Sequence, residues 1–76
     1  MEERLSCNIS MHEEEMDGKT VFVVDCVDLG ISDFGNSVDE ALENLKRGIN
    51  LFLEECPEKK ELLKKPEPLM ISRLFL

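Results

Sequence analysis

The chain has 76 residues and a formal net charge of −8, with 42% apolar and 34% charged residues. A domain of this length buries only about 60% of the surface that its unfolded chain exposes, so self-association is an expected supplement to its one small core. The apolar content marks a folded globular domain rather than a disordered chain. No apolar run approaches the ~20 residues of a membrane span, and the Met-Glu-Glu-Arg start is unlike a signal segment; both read as a soluble, cytoplasmic protein.

The charge is uneven: residues 1–45 hold twelve acids against two bases, whereas residues 46–76 hold five acids against seven bases. Phosphate backbones repel so acidic a surface, which excludes direct nucleic-acid binding by the isolated domain. The acids serve solubility, or they steer a basic protein partner toward the chain. Cys7, Cys26 and Cys56 are an odd number without CxxC spacing, and they read as small buried hydrophobes rather than a disulfide framework.

In chain order, the first element is a hairpin over residues 4–27. Leu5, Cys7, Ile9 and Met11 alternate with Arg4, Ser6, Asn8 and Ser10, the period of a half-buried strand. Asp17 and Gly18 form a two-residue turn signal before "KTVFVVDCV", a β-branched run suited to the second strand. If that turn sets the register, Met16 opposes Lys19, Met11 opposes Val24 and Ile9 opposes Cys26, with Phe22 on the same face. On the reverse face, Val21, Val23 and Val27 oppose Glu14, His12 and Asn8.

Residues 28–36 read as a short strand or loop, with Gly35 as a turn residue. A helix over residues 38–56 follows, capped by Ser37 and Glu40 in the pattern S-x-x-E. Its apolar stripe is Val38, Ala41, Leu42, Leu45, Ile49, Phe52, Leu53 and Cys56. Residues 57–68 are a polar connector with room for a short helical turn, and Pro66 and Pro68 favour extended backbone. The apolar "LMISRLFL", residues 69–76, suits a last strand. The expected fold class is α+β: a small antiparallel sheet of about three to four strands in β-β-β-α-β order, with one main helix on one face. The helix stripe is expected to pack on Ile9, Met11, Phe22, Val24 and Cys26.

Several patterns invite a chemical reading. Gly30 to Ser37 has the glycine spacing of a phosphate loop, but Asn36 stands where the lysine is needed and Asp33 would repel phosphate. Gly35 as a permissive turn and Ser37 as a cap explain the same residues. His12 lies beside Glu13, Glu14 and Glu15, but alternate strand residues point to opposite faces and do not converge on a metal. Asp25, Asp28, Asp33 and Asp39 would have to converge to hold the paired ions of a metal-dependent nuclease, and their spacing does not require it. His12 is the sole histidine, and its expected neighbours across the hairpin are valines, a poor setting for nucleophile activation. The expectation is therefore no catalytic residue, no metal ligand and no cofactor. Val21, Val23 and Val27 are the candidate partner or dimer surface.

The stretch from Val21 to Glu55 resembles the HicB antitoxin family, through the strand "VFVVDCVDLGI", the glycine in "FGNS" and the helix "VDEALENLKRGINLFLEE". This resemblance implies a β-β-β-α-β unit likened to a partial RNase H fold. It also implies a module that binds and inhibits HicA, a small RNA-cleaving toxin. Many members continue into a helix-turn-helix or ribbon-helix-helix DNA-binding domain, whereas this chain matches a stand-alone N-terminal-type domain. The alternatives are a metal-dependent RNase H-like nuclease and an orphan self-associating structural module.

Overall fold

The computed structural model describes residues 5–64 and 74–75. Its elements are β1 (Ile9–Met16), β2 (Lys19–Cys26), β3 (Ile31–Gly35), α1 (Val38–Glu55) and a 3-10 segment, Pro57–Leu63. The strands form one antiparallel sheet in the order β1-β2-β3. The fold class is α+β with the order β-β-β-α.

The first turn sets the sheet. Asp17 and Gly18 both adopt positive φ, 52° and 78°, the left-handed pair that matches the twist of a two-residue hairpin. The register follows residue by residue as the alternation predicts, with Met16 opposite Lys19, Met11 opposite Val24 and Ile9 opposite Cys26. Four residues then turn the chain into β3, closed by a 2.8 Å bond from the Gly30 N–H to the Cys26 carbonyl. This places Ile31 opposite Cys26, Asp33 opposite Val24 and Gly35 opposite Phe22.

The helix starts where the cap predicts: the Ser37 hydroxyl accepts the Glu40 N–H at 3.1 Å, and Asp39 and Glu40 sit at its positive end. Ala41, Leu45, Ile49 and Leu53 are its buried residues. They meet Val24 and Cys26 of β2 and Leu63 of the 3-10 segment, with Cys7, Ile9, Phe22, Leu29, Ile31, Leu42 and Phe52 packed around them. Each fully buried aliphatic side chain contributes about 1.5–3 kcal/mol relative to exposure.

Three expectations need correction, and a fourth falls on residues that are not described. The helix lies over β3 and, less extensively, β2, and does not approach β1, so Met11 is 52% exposed rather than covered. Gly35 is the last residue of β3 rather than part of a turn. A Cβ there would stand 2.5 Å from the Ala41 nitrogen and 2.9 Å from the Glu40 carbonyl carbon, so the missing side chain lets strand and helix start touch. The connector is not wholly polar, because its 3-10 segment buries Leu63 in the core. The last strand, 69–76, falls largely outside the described residues; Leu74 and Phe75 are described, and neither belongs to a strand.

Candidate interaction surface

The face of the sheet turned away from α1 is built from the alternate residues of each strand. Direct cross-strand partners share a face, which gives two complete rows. One is Ser10, Asp25 and Ser32; the other is His12, Val23 and Phe34. Glu14 continues this side of β1 opposite Val21.

Asp25 occupies the centre of the surface because it lies on the middle strand. The Ser10 hydroxyl donates to its Oδ2 at 3.2 Å, and the Ser32 hydroxyl donates to its Oδ1. One serine comes from each flanking strand, so the carboxylate is held in place by the pairing of the sheet. Nδ1 of His12 stands 3.9 Å from Oδ2 of Asp25, and its Nε2 is 2.8 Å from Oε1 of Glu14. Three ionisable side chains thus make an acid-dominated strip beside Val23 and Phe34. An anchored carboxylate next to an exposed aromatic ring suits an incoming cation, through charge on one side and the ring face on the other.

The predicted surface valines are not equivalent. Val23 is half-buried in the middle row and Val27 is exposed, but Val21 is 7% exposed and offers little area to a partner. Phe34, which the sequence reading did not single out, is 52% exposed and is the largest apolar side chain of the two rows. The signal for it lay in pairing Cys26 with Ile31 across Gly30, which places Phe34 beside Val23.

The remaining candidates do not converge. Asp28 Oδ2 accepts the Asn8 main-chain N–H at 2.7 Å and ties the first strand's approach to the loop. Asp33 Oδ1 accepts the Phe34 N–H at 2.8 Å, and its Oδ2 faces Gly48 on the helix side. Asp39 is in the first turn of α1. Among the described residues, no group of three or more His, Cys, Asp or Glu is placed to hold a metal ion. The Ser10 hydroxyl engages Asp25 rather than His12. Burial, then the neighbouring Cys26 and Asp28, push the Cys7 thiol up to about 11, which keeps it neutral and weakly nucleophilic.

On the helix side, a groove of about 370 Å³ runs between Leu5–Cys7, α1 and Leu63. Leu5, Cys7, Leu45, Ile49, Leu53 and Leu63 give it an apolar lining. No described helix is long and apolar enough to cross a membrane. Comparison with family models, curated proteins and solved structures finds no match to this chain.

Proposed function

We propose that the chain is a HicB-like, antitoxin-type protein-binding module that binds and inhibits a small basic RNA-cleaving toxin of the HicA-like kind. The observation that carries this reading is the sheet face opposite α1, where Asp25 is fixed between Ser10 and Ser32 beside the exposed ring of Phe34. The surplus of acids in residues 1–45 supports it, since complementary charge speeds encounter with a basic partner and competes with RNA for the same surface. On this reading the module works in the cytoplasm, without a cofactor or direct nucleic-acid binding, and as a homodimer or higher homo-oligomer.

The test is capture from the native host with the tagged chain, washed at low and high salt, followed by an RNA-cleavage assay of whatever is retained. A small basic protein that is released by salt, cleaves RNA alone and stops cleaving when the chain is restored is the expected result. Retention of the bait alone would favour the second reading, an orphan self-associating module, which draws support from Leu74 and Phe75, 82% and 83% exposed. The dispersal of Asp25, Asp28, Asp33 and Asp39 gives a metal-dependent nuclease no support. RNA and DNA incubated with the purified chain and Mg²⁺ or Mn²⁺ test that alternative directly.

A further inference from the structure

The face of the sheet opposite α1 is open and carries charge of one sign. The side chains of His12, Glu14 and Asp25 are 49%, 53% and 34% exposed, and Phe34 is 52% exposed. Residues 9–35 hold seven acids against one Lys or Arg, Lys19. Lys19 stands beside the hairpin turn, opposite Met16 and six residues along β2 from Asp25, about 20 Å of extended chain away. Among the described residues no lysine or arginine forms an ion pair with Asp25 or Glu14.

The hydrogen bonds of Asp25 decide which cation it can take. Each carboxylate oxygen has two lone pairs. One serine hydroxyl occupies one of them on each oxygen, Ser10 on Oδ2 and Ser32 on Oδ1, which leaves one acceptor on each, side by side. His12 takes neither: Glu14 holds its Nε2 at 2.8 Å, and its Nδ1 stays 3.9 Å from Oδ2, beyond hydrogen-bond range. Two parallel acceptors match the planar fork of a guanidinium, whereas a lysine ammonium is a point charge without that fit.

Phe34 supplies the second contact. Ser32, two residues before it on β3, is the direct partner of Asp25, so ring and carboxylate are diagonal neighbours on one face, about 7–8 Å apart at the backbone and within reach of one long side chain. The ring stands on a fixed strand, because the Phe34 N–H donates to Asp33 Oδ1 and its carbonyl accepts from Asn44 Nδ2, each at 2.8 Å. Val23, the direct partner of Phe34, adds apolar surface for the methylene stem of an arginine.

We infer that this face docks an arginine of a basic protein partner, its guanidinium paired with both oxygens of Asp25 and stacked on Phe34, and its stem laid on Val23. A nucleic acid would bring phosphates, which Asp25 and Glu14 repel. A second copy docked face to face would bring Asp25 and Glu14 of both copies together, which like charge opposes. The inference rests on the reading of the chain as a binding module for a basic protein, and deepens it by naming the side chain that is recognised.

The test is calorimetric titration of the chain with two capped peptides of equal charge, tetra-arginine and tetra-lysine, at low salt. Tetra-arginine is expected to bind at least about fivefold more tightly. Asp25→Asn should abolish that preference, and Phe34→Leu should reduce it at least about twofold, each with the circular dichroism of the parent retained. Equal affinities for the two peptides, or a preference that survives Asp25→Asn, would overturn the inference. Phe34→Leu changes an exposed side chain, so an undiminished preference in that variant overturns it even if Asp25→Asn fails to fold. A chain that inhibits a captured toxin but does not prefer arginine overturns this inference alone. A preference lost in Asp25→Asn, with no toxin captured, upholds it and overturns the toxin reading.

Discussion

The two faces of the sheet come from alternate residues of the same strands and differ in almost every physical respect. Beneath α1, Val24 and Cys26 are fully buried and join Leu45, Ile49, Leu53 and Leu63 in a core that, among the described residues, has no buried polar side chain. On the other side, Asp25 sits at the equivalent central position with two serines and a histidine around it, and Glu14 against the far side of that histidine. One face is specified by volume and the other by charge and hydrogen bonding. Substitutions on the first should register as stability, and substitutions on the second as association.

The strongest way to break the comparison is at the covered face. Leu45→Ala removes a side chain that is 2% exposed, and is expected to cost about 2–5 kcal/mol. In a domain whose total stability is on the order of 5–15 kcal/mol, urea unfolding will show this plainly. Gly35→Ala attacks the same interface from the strand, where main-chain atoms of Glu40 and Ala41 block the new methyl. A loss of about 1–3 kcal/mol is expected, read from the thermal midpoint. Ser37→Ala should cost about 1 kcal/mol by leaving the Glu40 N–H without its cap.

A smaller effect follows from Cys7. Its thiol is raised to about 11 in the fold, so the native chain keeps a proton that the unfolded chain releases first. Stability should therefore fall as pH climbs from the ordinary thiol range near 9 toward 11. Urea midpoints across that window, compared with Cys7→Ser, should show a shallower decline in the variant. The smallest stability change belongs to the open face: Val23→Glu and Phe34→Ala should each stay within about 0.5 kcal/mol of the parent. Both should nevertheless weaken capture of a basic partner. If they destabilise as Leu45→Ala does, the two faces are not distinct in kind.

Much of this was legible in the residues. Asp17 and Gly18 set the turn, the alternation set the register, and Ser37 with Glu40 placed the start of α1. The helix's position across the sheet was not legible. A periodic stripe states which side of a helix is buried, but not which strands lie below it, and Met11 was assigned to the core on its side of the sheet alone. Gly35 was misread because a glycine between strand and helix suggests a special dihedral, whereas here it serves close approach. Phe34 escaped notice because β3 is five residues long, too short for its alternation to stand out from the loop. Leu63 was hidden in a lysine- and glutamate-rich stretch whose single buried position no period marks.

The β3 edge of the sheet resists association by strand addition. A sheet with two receptive edges can add copies without limit, the geometry of a fibril. Here Asp33 and Asn44 occupy the main-chain groups of Phe34 at one end of the strand order, so a strand arriving there would first have to displace both side chains.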